Sequence, residues 1–301
     1  MVRDLLLNKG WRRHSVLSIK HDSLNHAYPH LPDKIKSIAA IDGAILIIAT
    51  YDCAVVNPCF ESEPWIQLLV AFPAKFEKRF AQGRDPRRIH FTVNHLGMEK
   101  IFETNAVGIA QLDRELLCDI APDDDYQLNE DSKYDLKNWL AERFKQETWP
   151  DSFNKAVKPV ERRLKRFWNR YNDYISSLYL KLDTYKELSE GKYSASIIVA
   201  LEVGKQRALI KQIKSNNKQL ADKTIDEVMT YLSSEILNIF GDVIIIEDDV
   251  TTTIGKAVEV MEENAITVHH LRSFYRFSPY TMSEFGSEAP LPLDMQSSRA
   301  N

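Results

Sequence analysis

At 301 residues, 44% of them apolar, with a formal net charge of −4, the chain can fill two ordinary cores and carries no global field that would draw it to nucleic acid. Three cysteines, Cys53, Cys59 and Cys118, without a C-x-x-C pair argue against a disulfide framework or a structural zinc site and fit a reducing, cytoplasmic setting. Leu5-Leu6-Leu7 meets Lys9 and Arg12-Arg13 too soon for a signal-peptide core, and no apolar run approaches the roughly 20 residues that cross a bilayer, so no membrane partner is expected.

Residues 1–121 predict a β-rich, barrel-like domain. Short apolar or alternating runs at Ser37–Ile41, Ala44–Thr50, Ile66–Phe72 and Ile89–Val93 predict strands, with Asp42-Gly43 as a hairpin turn between the first two. Gly10 to Arg13 and His21 to Pro32 predict irregular connections. Pro122-Asp123-Asp124-Asp125 then marks a boundary, because adjacent carboxylates stay hydrated and the apolar period changes beyond it from two to nearly four.

A helical connector is expected over 122–185. Leu136, Leu140 and Phe144 form the ridge of a helix over Ser132–Gln146. Val160, Leu164, Phe167, Tyr171, Ile175, Leu178 and Leu182 keep one face of a helix over Pro159–Leu182. Residues 186–301 alternate again: strand Ser194–Val203, helix Thr224–Phe240, strand Val243–Ile246, helix Gly255–Asn264 and strand Ile266–Phe274, then a mobile tail after Pro279. The expectation is an α+β protein: a β-rich barrel-like domain, a helical middle and a C-terminal ferredoxin-like α+β sandwich.

The first candidate site is Cys53 with Asp52 at the end of an apolar strand. A thiolate beside a base would be a nucleophile, with His90 as the partner base, whereas an unpaired cysteine is in general a small buried hydrophobe. On a strand, Asp52 and Cys53 would face opposite sides. The second is the turn Gly83 to His90, where Arg84, Arg87 and Arg88, with Arg12 from the N-terminal segment, would hold an anionic substrate through their planar forks; alternatively they pair with the protein's own acids. Guanidiniums near His90 would favour its neutral form, as a base or as a structural histidine. The third is a basic helix carrying Lys158, Arg162, Arg163, Lys165, Arg166 and Arg170 opposite its apolar face, with Trp168 at the boundary as a stacking ring: either a nucleic-acid-binding surface or a solvated face.

Other motifs weaken on geometry. Glu202 and Lys205 are three residues apart, not the two of a nuclease strand; Glu247-Asp248-Asp249 would suit a hydrated strand exit better than a magnesium ion. Pro29 and Pro32 break the helix that His26 and His30 would need to share, and His269 and His270 on a strand would face apart. No phosphate-binding loop, dinucleotide fingerprint, zinc-protease or serine-hydrolase motif is present, so neither cofactor nor metal is expected.

Gly10-Trp11-Arg12 followed by Ser15-Val16-Leu17, then Asp52-Cys53 with Glu63-Pro64 downstream, then Gly83-Arg84-x-Pro86-Arg87, resembles a group of uncharacterised bacterial proteins of similar length carried on mobile or phage-defence loci. The likeness extends to Trp149-Pro150-Asp151-Ser152-Phe153 and covers about half the chain. In that group an Asp usually follows the cysteine; here Ala54 stands there, which argues against a Cys-Asp pair, and the resemblance implies no particular reaction. The expected function is an accessory or effector component of a bacterial antiviral or mobile-element system, recognising a partner protein or nucleic acid. Its alternatives are a Cys53/His90-dependent enzyme on a phosphate- or acyl-bearing substrate and a nucleic-acid-binding protein using the helix at 158–170.

Overall fold

The structure, a computed structural model, describes residues 2–18, 23–145, 149–246 and 257–278, which fall into two compact units dividing after Arg143. Glu247-Asp248-Asp249, His21, Gly255 and the tail after Pro279 lie outside the described residues. The first unit contains, in order, α1 (Val2–Asn8), β1 (Val16–Ser18), α2 (Ser23–Ala27), α3 (Asp33–Ala39), β2 (Ile45–Ile48), α4 (Asp52–Val55), β3 (Trp65–Pro73), β4 (Arg88–His95), β5 (Met98–Asp113), β6 (Tyr126–Leu128) and α5 (Glu130–Lys145).

Its six strands pair antiparallel in the order β1-β2-β3-β5-β4-β6. The sheet curls until its two edges nearly meet: the Asp123 N–H donates to the Val16 carbonyl at 2.7 Å and the Ser18 hydroxyl donates to the Asp123 carboxylate. Two devices let β5 bend this far: the register slips between Leu69 and Ala71, and Gly108 lets the Val70 carbonyl approach to 2.9 Å of where a Cβ would sit.

Both faces of the sheet are covered, which explains the continuous apolar run of β2. Ile45 and Ile47 join Phe91, Phe102, Leu136 and Trp139 on the face that α5 closes, while Leu46 and Ile48 join Leu6, Trp11, Ile35 and Ile38 on the other. Trp11, expected in a surface connection, is instead a core residue whose indole N–H donates to the Leu117 carbonyl at 2.9 Å. Ser37–Ile41 is not a strand, because Ile35 and Ile38 lie on the buried face of α3, and Asp42-Gly43 links that helix to β2. A two-residue hairpin occurs instead at Leu96-Gly97, between β4 and β5.

In the second unit α6 (Asp151–Val157), α7 (Glu161–Tyr171), β7 (Ile175–Leu182), β8 (Ser194–Leu201), α8 (Gln206–Asn216), α9 (Ile225–Phe240), β9 (Ile245–Ile246), β10 (Val258–Glu262), α10 (Val268–Ser273) and β11 (Tyr275–Phe277) follow one another. Strand order is β10-β8-β7-β11, with β9 also on β8; β7 runs antiparallel to β8 and β11, whereas β9 and β10 run parallel to β8. Residues from α7, α8 and α9 pack on one face with Leu178, Leu180, Ile197 and Val199, and Phe274 meets Ile198 on the other.

The helix begun before Glu161 stops at Tyr171, and Ile175 to Leu182 is a strand buried on both faces, so its apolar spacing runs on without marking a helix. The expected helix at 255–264 holds β10, paired along β8, and the expected strand at 266–274 holds α10, started by a Thr267–His270 capping box. His269 and His270 therefore sit on a helix rather than a strand.

Candidate functional site

The turn before β4 is rigid for local reasons. The Asp85 carboxylate accepts the N–H groups of Arg87 and Arg88 at 2.7 and 3.0 Å, and the turn is pinned to α5 by Trp139 on the Asp85 carbonyl and Arg143 on the Pro86 carbonyl. This delivers Arg88 and His90, two apart on β4, to one face of the sheet.

Opposite His90 in the ladder stands Glu103 of β5, and the three side chains close on one another. Arg88 donates through Nε to Glu103 Oε1 at 2.9 Å and through a terminal nitrogen to Oε2 at 2.6 Å, a two-pronged pair. His90 Nε2 lies 2.7 Å from Glu103 Oε2, and His90 Nδ1 accepts the Glu77 N–H at 3.0 Å. Because Nδ1 is an acceptor, the ring proton sits on Nε2 and points at the carboxylate. Phe80 floors the cluster, its ring 5.0 Å from that of His90 and 3.9 Å from the Arg88 guanidinium. Only 1% of the His90 side chain is exposed.

Burial by itself would raise the Glu103 carboxyl, but the hydrogen bonds from His90 and Arg88 and the Arg88 charge outweigh it and hold the group below its ordinary value. Arg84 is buried beside this cluster, donating to the Lys78 carbonyl at 3.2 Å, whereas Arg87 is exposed. Of the expected anion contacts, Arg88 is committed to an acid of the protein itself.

Asp52 and Cys53 are elsewhere. Glu103 and His90 occupy the row of Phe72, one step beyond the Ile45–Ala71 pair at the start of β2; Asp52 and Cys53 follow its end, with β3 and β5 also intervening. They lie on the short helix α4, so strand alternation does not apply to them. Asp52 accepts the Arg13 N–H at 2.6 Å, and Cys53 is exposed, as is Arg12.

The imidazole near Asp52 is His14, which sequence reasoning missed. It has left-handed backbone (φ 67°) and its N–H bonds the Ile48 carbonyl at 2.8 Å. Burial first, then the charges of Arg13 and Lys133, lower it from 6.5 to about 4, against the opposing pull of Asp52 and Glu130. Its place directly after Arg12-Arg13 was the available clue; the β1–β2 pairing that sets it beside Asp52 was not.

A second missed residue is Arg114, fully buried, which donates to the carbonyls of Glu63, Val55, Asn57 and Cys59 and lies over the Phe60 ring. It organises the loop between α4 and β3. Cys59 in that loop has a lowered thiol because the Ser62 hydroxyl donates to its sulfur at 3.2 Å, assisted by Ser62 and Glu61 backbone groups.

On α7 the basic residues divide. Arg163 pairs with Asp242 at 2.6 Å and Arg170 with Glu235 at 2.9 Å, while Arg162 and Arg166 reach solvent. Trp168 is buried, 2% exposed, so it offers no ring to stack on a base. Glu202 and Lys205 sit in a turn after β8, joined backbone to backbone at 3.0 Å. Among the described residues no three His, Cys, Asp or Glu side chains group as a metal site, and no helix is long and apolar enough to cross a membrane. Comparison with protein-family models, curated proteins and solved structures finds no match to this chain.

Proposed function

We propose that this protein is a cytoplasmic accessory or effector component of a bacterial antiviral or mobile-element system, and that it acts by recognising a partner rather than by turning over a substrate. What supports recognition over catalysis is the closed Arg88–Glu103–His90 cluster. A general base needs a nitrogen lone pair facing the substrate. His90 has given its lone pair to Glu77 and its proton to Glu103, and both carboxylate oxygens also receive Arg88. Cys53, the proposed nucleophile, is exposed beyond the other end of β2.

The antiviral setting draws its support from the Gly10-Trp11-Arg12, Asp52-Cys53 and Gly83-Arg84 motifs. Protein is favoured over nucleic acid as the partner because Arg163 and Arg170 are paired with the chain's own acids and Trp168 is turned inward. The ferredoxin-like class of the second unit belongs to the same proposal, supported by the antiparallel β7–β8 pair with three helices on one face.

Phage plating on bacteria that carry the gene tests the reading. Wild type and Cys53→Ala are expected to protect equally. Loss of protection in a Cys53→Ala protein that melts like wild type supports the enzyme instead, and absence of protection by wild type removes the antiviral setting. Binding to nucleic acid that falls steeply with salt and weakens in Arg162→Glu/Arg166→Glu would replace the protein partner by a nucleic acid.

A further inference from the structure

The β4–β5 turn displays apolar side chains where local chemistry asks for polar ones. His95 pairs with Met98, leaving Leu96 and Gly97 as the two loop residues, both left-handed at φ 54° and 80°. Such a turn favours asparagine, aspartate or glycine at its first position, because a side chain with a full Cβ crowds the following carbonyl. Here that position is a leucine, 62% exposed, and the next strand residue, Met98, is 58% exposed. The turn is nonetheless held firmly: the Gly97 N–H donates to the Asn94 side chain at 2.8 Å, and the Leu96 N–H donates to the Asp125 carbonyl at 3.1 Å.

Charge around the tip has one prevailing sign. That last bond sets the Asp124-Asp125 segment beside the turn, both side chains exposed, and Glu99 follows Met98. Lys100, the next residue, donates to His95 Nδ1 at 2.9 Å and keeps its charge, so Glu99, Asp124 and Asp125 outnumber the one ammonium at the tip; the His95 ring stacks on Tyr126. An apolar point framed by carboxylates is repelled by an anionic lipid surface and complements an apolar socket rimmed by lysine or arginine.

We propose that the Leu96–Met98 tip is the docking element of this protein, inserting into an apolar socket with a basic rim on a partner protein. The assignment rests on the recognition reading and names the surface that performs it. In this assignment the Leu96 side chain, exposed on a turn that favours a polar residue, is the anchor, and Glu99, Asp124 and Asp125 fix the sign of the partner's rim.

The test places a photoreactive benzophenone residue at position 96 of the full-length chain in cells of the encoding organism, and identifies cross-linked peptides by mass spectrometry. The expected product is a single peptide of another protein in which lysine or arginine neighbours apolar residues. Its yield should fall about tenfold or more when Glu99, Asp124 and Asp125 are replaced together by lysine. Leu96→Asn, which suits the turn better, should melt at or above the wild-type temperature yet lose co-purification of the same protein. Cross-links only to lipid or to second copies of this chain, no cross-link, or a yield indifferent to the charge reversal overturn the assignment. So does unchanged co-purification with Leu96→Asn. A second probe at Arg12 separates the two levels: partner capture there but not at Leu96 sinks the tip and leaves recognition standing, whereas capture at neither, with protection dependent on Cys53, sinks both.

Discussion

Glu103 stands directly across the β4–β5 ladder from His90, its Oε2 2.7 Å from Nε2, and the same carboxylate holds Arg88 by both oxygens. Removing one member strands a charge in a dry site. Glu103→Gln is therefore expected to lose about 2–4 kcal/mol in urea unfolding, whereas the joint replacement Arg88→Met/His90→Leu/Glu103→Leu should recover most of that loss. Equal losses for both variants would show that packing, not charge, sets the effect.

The same carboxyl contributes a pH dependence of defined sign. Its folded value is below the ordinary 4.5, so its stabilisation is fully present above 4.5 and is lost as the pH falls through the lower folded value. In acid unfolding, Glu103→Gln should flatten the curve below 4.5. A variant curve parallel to wild type there contradicts the assignment.

His14 acts in the next window up. Its imidazole takes a proton near 6.5 when unfolded but only near 4 when folded, so the unfolded chain binds more protons between those values and stability falls as the pH drops from 6.5 towards 4. His14→Asn should shrink that slope. It should also raise stability at pH 8 by a few tenths to about 1 kcal/mol, because asparagine tolerates left-handed backbone better. A wild-type His14 resonance titrating at its ordinary value would refute this.

Arg114 gives the loop between α4 and β3 its shape through four backbone carbonyls. Arg114→Met keeps much of the buried volume but leaves those acceptors without their donor, at an expected cost of about 3 kcal/mol or more. Limited proteolysis should then cut within 56–63. A protease map identical to wild type would show that the loop holds without it.

The thiols should separate by rate. Cys59 is lowered by Ser62, whereas burial, then the Asp119 charge, raises Cys118. Iodoacetamide near pH 8 should therefore modify Cys59 several-fold (~3 or more) faster than Cys118, and Ser62→Ala should narrow the gap. The reverse order would overturn this account of Cys59.

Local apolar continuity made some elements legible. Ala44 to Thr50 pointed to β2 because both faces of that strand are buried, and Thr224 to Phe240 pointed to α9 through its amphipathic period, while the Thr224–Glu227 capping box that starts it went unread. What depended on distant partners was hidden. In β5, Glu103, Asn105 and Gly108 break any simple alternation, and only the fold reveals that Glu103 is neutralised from β4 and that Gly108 admits the Val70 carbonyl. Ile175 to Leu182 continued the apolar spacing of α7, and the Asn172-Asp173 break between them was the overlooked clue. Arg88 and His90 lie together because they are neighbours in one strand; bringing Cys53 to them requires a convergence that the sheet register does not provide.

His90 has no nitrogen left for chemistry, since Nδ1 accepts from Glu77 and Nε2 faces Glu103. Long-range ¹H–¹⁵N correlation of the imidazole at pH 7 reads this directly. A single Nε2–H tautomer with Nδ1 accepting from Glu77, unchanged in Cys53→Ala, is the expected result; an Nδ1–H form, or a mixture of tautomers in exchange, would contradict it.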